Sequence, residues 1–245
     1  MDYILHQPAV EEKFWNGVRD EGRTGMCLND FANSVVMQQL SAIDPSGCAA
    51  LSLAEIASLR FYTSHSFECI NMPLRDHDRT VPHPLPALTT CIQTGLKKLR
   101  ALGAGDSSSR KTVILWRGFY DMQMTSEFLA NGGTELAPMS TTPDVRVAVR
   151  YAINKPEKDL APSLLFRIVT HNNLQRGADV QWLSMFPGEA ETLFPPLTYL
   201  QATGKTHVLQ HSAKECVDGN QSATEEASQG RGFHITIVEV TTTLP

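Results

Sequence analysis

No apolar run in this 245-residue chain is long enough to cross a bilayer, and the N-terminal stretch MDYILHQPAVEEKFW carries acidic residues where a secretory leader has a basic and then an apolar segment. Neither membrane association nor export is expected. The five cysteines, Cys27, Cys48, Cys69, Cys91 and Cys216, are an odd number at wide spacings with no C-x-x-C pair, which removes zinc-ribbon and dithiol redox chemistry. Free, buried thiols in a reducing, cytoplasmic setting are the expectation. On that reading the sequon Asn220-Gln221-Ser222 carries no meaning.

Charge of one sign is also scarce. Lys and Arg number 21 against 26 Asp and Glu, for a net charge of -5, with no block of like charge. That balance argues against a broad nucleic-acid-binding face. Neither a G-x-G-x-x-G after a strand nor a G-x-x-x-x-G-K-[ST] occurs, so a Rossmann or P-loop phosphate cradle is absent. Asp76, His77, Asp78 and His83 share one polar loop, but they lack helical i, i+4 spacing and a cysteine partner, and no metal is expected. There is no internal repeat.

The hydrophobic content of 42% suffices for a core in a chain of this length. The first hundred residues read as helical. Segments around Phe14-Trp15 and Phe31 to Val36 suggest helices, interrupted near Asp44 to Gly47. Ser52-Leu53-Ala54-Glu55 fits a capping box, followed by apolar Ile56, Leu59 and Phe61. The proline cluster VPHPLPAL imposes an extended connection before helix resumes from Cys91 to Leu102.

After the loop GAGDSSSRK the character turns to strands. Thr112 to Trp116, Leu164 to Thr170, Glu191 to Phe194, His207 to Leu209 and Gly232 to Val240 are the expected ones. A short helix over Thr125 to Ala130 ends at Gly132-Gly133, and a second is capped by Thr142-Pro143-Asp144 with Val145, Ala148, Val149 and Ala152 as its buried stripe. Ser212 to Gly230 reads as a polar surface insertion. Helices first and strands afterwards make an α+β fold: an N-terminal helical extension over 1–51, then a main domain over 52–245.

Three segments carry candidate chemistry. Leu115-Trp116-Arg117-Gly118 ends a strand in an arginine, with a glycine that lets a ligand approach the backbone. Met139-Ser140-Thr141-Thr142 places hydroxyls at the end of another strand. Glu189 and Glu191 flank one alanine, so in an extended strand both carboxylates would point to one side.

In this order the three segments resemble the R-S-E signature of the arginine-directed mono-ADP-ribosyltransferases. Tyr62-Thr63 with Ile70-Asn71-Met72-Pro73-Leu74-Arg75 is similar to the family's Y-T and I-N-x-x-L-R stretch, and GFHITIVEV to its closing strand. The resemblance spans roughly residues 52 to 242. Two departures stand out: Thr142 replaces the usual final serine of S-T-S, and Pro138 sits where an aromatic is common.

The resemblance implies a helical lobe packed on two β-sheets with NAD, the co-substrate, in the cleft between them, and no metal. Arg117, with Arg75 assisting, would hold the pyrophosphate, and Gly118, Ser140, Thr141 and Glu191 would complete the NAD site. Glu191, oriented by Ser140, would stabilise the positive charge that develops on the ribose, while Glu189 would receive a proton from an acceptor arginine. Trp182 to Gly188 would meet the acceptor protein. An NAD glycohydrolase and a silent nucleotide- or partner-binding module of the same fold are the alternatives.

Overall fold

Capping chemistry sets the helical lobe. Helices lead, among them α1 (Leu28–Ala32), α2 (Leu53–Tyr62), α3 (Phe67–Arg75) and α4 (Pro86–Ala104), in a computed structural model that describes residues 27–34, 37–40, 44, 51–104, 111–153, 162–211 and 233–245. The segment around Phe14, the sequon and the Ser212 to Gly230 insertion lie outside those residues. The capping box forms as expected: Glu55 N donates to Ser52 Oγ at 3.2 Å and Ser52 N to Glu55 Oε2 at 2.7 Å. Burial pushes the Glu55 carboxyl up, but bonds from Lys98 and Ser52 outweigh it and bring the group down to about 2. Helix α4 begins at Pro86, earlier than the proline count suggested, because the first helical position needs no amide hydrogen.

Phe31, Ile56, Leu59, Phe61, Tyr62, Ile70, Ile92 and Leu96 form the core of this lobe. Arg60 is buried within it, its Cζ 5.3 Å above the Phe31 ring. The described cysteines are free thiols but not buried: Cys69 is exposed, and Cys27 and Cys91 are half-exposed. His83 spends both ring nitrogens on backbone, accepting from Leu85 N at 3.0 Å and facing Ile70 O at 3.1 Å.

The strands make two sheets. A five-stranded sheet runs in the order β1 (Val113–Tyr120), β4 (Ser163–Thr170), β8 (Phe233–Thr243), β7 (Thr198–His211) and β2 (Gly133–Glu135), with β4 and β8 parallel. A three-stranded sheet holds β3 (Met139–Thr141), β6 (Thr192–Phe194) and β5 (Ala178–Asp179). Side-chain alternation splits β6 between two cores. Leu193 faces the helical lobe, and Phe194 joins Leu115, Met139, Leu164, Phe166, Val238 and Val240 between the sheets.

Helices α5 (Ser126–Asn131) and α6 (Val145–Ile153) complete the chain. Gly132, at φ 70°, ends α5 as expected, in a conformation that suits glycine. Helix α6 packs on the outer face of the large sheet through Ala148 and Ala152, with Val147 also buried. Val145, expected in that stripe, is exposed, because Asp144 rather than Thr142 caps the helix: its carbonyl accepts from Val147 N and Ala148 N and its Oδ1 from Arg146 N.

The small alanine stripe lets α6 close on Gly118. A Cβ at Gly118 would stand 1.9 Å from Ala148 O and 3.0 Å from Ala152 N. The close approach to this glycine is that of the helix. Gly118→Ala should therefore cost about 1–3 kcal/mol, the range for forced overpacking. Urea unfolding of the two proteins measures it, and equal midpoints would contradict the packing argument.

Candidate active site

The site begins where the two sheets touch. Trp116 N donates to Thr142 O at 2.7 Å and Thr142 N to Trp116 O at 3.0 Å, an isolated antiparallel bridge from β1 to the end of β3. Next to it, Arg117 points to the inter-sheet side, as alternation from Trp116 requires. Arg117 is not a strand end: β1 continues to Tyr120, because Gly118 stays extended opposite Leu165. Arg117 Nη1 donates to Ser140 O at 3.1 Å, and its Cζ lies 5.0 Å from the centre of the Phe119 ring. Burial pushes the guanidinium below its ordinary value, and Glu135 and Glu191 push it back up. An arginine starts so high that it remains a cation.

The two glutamates reach the same place by a turn rather than by strand alternation. Pro187–Glu189 is a turn of 3-10 helix, Ala190 adopts the left-handed conformation at φ 48°, and Glu191 directly precedes β6. Glu191 is buried, 6% exposed, whereas Glu189 is partly open. Glu189 is held at both ends. Its carbonyl accepts from Thr142 Oγ1 at 2.7 Å, and its Oε1 accepts from Tyr151 Oη at 2.7 Å.

A cleft of about 230 Å³ gathers these groups: Arg117, Gly118, Ser140, Thr141, Glu189 and Glu191 all line it. Thr141 is buried and commits its hydroxyl to Thr192 O at 2.7 Å, tying β3 to β6. Arg75 is not in the lining. Its Nε and Nη2 grip the two Glu135 oxygens, each at 3.0 Å, in a bidentate pair between α3 and β2. The Nε and Nη2 edge of Arg75 is thus spent on an ion pair beside the cleft.

Residues that sequence reasoning did not place here include Tyr62, Asn71, Trp116 and Tyr151. Tyr62 Oη donates to Pro138 O at 2.6 Å and accepts from Asn71 Nδ2 at 3.0 Å; burial pushes its phenol up, so it stays neutral. Tyr151 was findable, since it follows buried Val147 by four residues and Ala148 by three on one helical face. Two buried polar atoms of the wall, Arg117 Nε and Asn71 Oδ1, have no hydrogen-bond partner within the protein.

Trp182 to Gly188 is turned largely inward. Leu183, Ser184 and Met185 are buried, Leu183 O accepts from Arg60 Nη1 at 2.9 Å, and Met185 N donates to Thr63 Oγ1 at 2.9 Å. Its outer part runs from Phe186, in edge contact with His65 at 5.8 Å, to exposed Gly188. Among the described residues no helix is long and apolar enough to cross a membrane.

No family model matches the chain, and no curated protein matches it. Its fold is that of solved ADP-ribosyltransferases. The structure is similar to that of the ADP-ribosyltransferase HopU1 of Pseudomonas syringae pv. tomato, with a TM-score of 0.56 at 13% identity over 96% of this chain and 98% of that one. It is similar also to Vis toxin, an ADP-ribosyltransferase from Vibrio splendidus, with a TM-score of 0.50 at 16% identity over 92% and 90% of the two chains.

Proposed function

We propose that this chain is an NAD-dependent ADP-ribosyltransferase whose acceptor is the guanidinium of an arginine side chain on a protein. One observation carries the reading: Arg117, Ser140, Glu189 and Glu191, drawn from three separate places in the sequence, line a single cleft. The fold shared with solved ADP-ribosyltransferases supports it.

The wall suits the substrate. A pyrophosphate needs a cation with directed donors, and Arg117 offers a buried guanidinium whose Nε has no partner within the protein. Asn71 Oδ1, likewise without a partner, offers an acceptor in the same wall. Glu191 supplies a buried negative charge where positive charge must develop on the ribose as the nicotinamide bond breaks. In that step the C1′–N bond electrons leave on the nicotinamide nitrogen. The lone pair of an acceptor nitrogen forms the new C1′–N bond, and its proton passes to the Glu189 carboxylate. Glu189 suits this role because it is the more open of the two acids, at the outer end of the 3-10 turn.

Incubation with labelled NAD and agmatine, a free arginine analogue, tests the reading. Nicotinamide release together with an agmatine adduct is expected; nicotinamide without adduct indicates a glycohydrolase, and neither product a silent binding module. Arg117→Lys keeps the charge but loses the fork. A charge-assisted hydrogen bond contributes about 1.5–3 kcal/mol, so KM for NAD should rise about ten- to a hundredfold. Initial rates of nicotinamide release against NAD concentration measure that rise, and an unchanged KM would remove Arg117 from the phosphate role.

A further inference from the structure

The Tyr151 hydroxyl reaches beyond the helix that carries it. Its Oη donates to Glu189 Oε1 at 2.7 Å across 38 residues of chain, and both side chains line the cleft. The backbone of Glu189 is held from the same direction. Thr142 Oγ1, just ahead of α6, donates to Glu189 O at 2.7 Å and also accepts from Asp144 N at 3.1 Å. One short helix and the residue leading into it thus grip Glu189 at its carbonyl and at its carboxylate. The rest of the turn could not do so, since Ala190 is in the left-handed region and Gly188 is exposed.

We propose that Tyr151 is the positioning residue that sets acceptor specificity: by donating to Oε1 it fixes the plane of the Glu189 carboxylate that the incoming nucleophile meets. This rests on the transferase reading above. A glutamate at a partly open turn has three side-chain torsions to lose, and a guanidinium pairs well only with a carboxylate held in a defined plane. Water has no such requirement, being small and able to approach from many directions. Tyr151 therefore acts on the choice between arginine and water as nucleophile, not on rupture of the nicotinamide bond. Phenylalanine at 151 keeps the ring and its packing and removes only the oxygen that donates.

The test measures nicotinamide release and agmatine adduct in the same reaction for wild type, Tyr151→Phe, Glu189→Gln and the double variant, each checked for folding by circular dichroism. Loss of orientation at a reacting group is worth about tenfold, so the adduct-to-hydrolysis ratio of Tyr151→Phe should fall about tenfold, with the loss in kcat for agmatine rather than KM for NAD. In the Glu189→Gln background the same change should move the ratio no further, because the pair acts as a unit. An unchanged ratio in Tyr151→Phe, a parallel fall in both products, or a full additional loss in the double variant each overturns the positioning role while leaving the transferase reading intact. A wild-type protein that releases nicotinamide but forms no adduct overturns the transferase reading, and this proposal with it.

Discussion

Glu191→Gln should lower the rate of nicotinamide release by about 10²–10³, the usual consequence of removing one preorganised electrostatic group from a transition state. The amide is nearly isosteric, so the surrounding packing is preserved and the loss isolates charge. Burial sharpens the effect: Glu191 is 6% exposed, and a charge withdrawn from water acts on the ribose through a medium that screens it poorly. The fall should lie mainly in kcat, because the positive charge that Glu191 opposes exists only as the bond breaks. A coupled assay for free nicotinamide over a range of NAD concentrations reads both parameters. A variant that retains near wild-type kcat removes Glu191 from the chemical step and with it the proposed mechanism.

Glu189→Gln should separate the two half-reactions. The proton of an attacking guanidinium needs a base, and a glutamine offers none, so agmatine adduct should fall by about 10²–10⁴, the range for loss of a positioned general base. Nicotinamide release with water as acceptor should survive to a much larger extent, because Glu191 and Arg117 are untouched. Quantifying both products by mass in one reaction shows the divergence. If both fall together, Glu189 belongs to bond rupture, and the division of labour between the two acids is wrong.

Legibility in the sequence followed the range of the interactions concerned. The Ser52–Glu55 capping box, the stop at Gly132 and the strand at Leu164 to Thr170 depend on neighbours within a few residues, and all three form. Distant partners added what no local pattern could carry. Gly118, expected to leave room for a ligand at the cleft it lines, also leaves room for α6, whose surface arrives from Ala148 and Ala152, some thirty residues on. Arg75, expected at the phosphates, spends one edge of its guanidinium on Glu135, sixty residues away. The strand at His207 to Leu209 proved to be the far end of β7, a 14-residue strand, since Pro195 and Pro196 hid its start.

The paired glutamates mark the boundary most clearly. Local pattern placed them on one side of a strand; the chain achieves convergence instead through a 3-10 turn and a left-handed alanine, a conformation stabilised by Thr142 and Tyr151 from another part of the molecule.

From residue order alone came the α+β class, the identity of the arginine, serine and two acids, and the chemistry open to them, since side-chain type sets charge, donor geometry and basicity wherever the chain goes. Which of those groups share a cleft, which are diverted into ion pairs or core, and that Tyr151 joins them depended on long-range packing. Contacts across tens of residues are chosen by the burial of whole faces, a sum over the molecule that no short window of sequence contains.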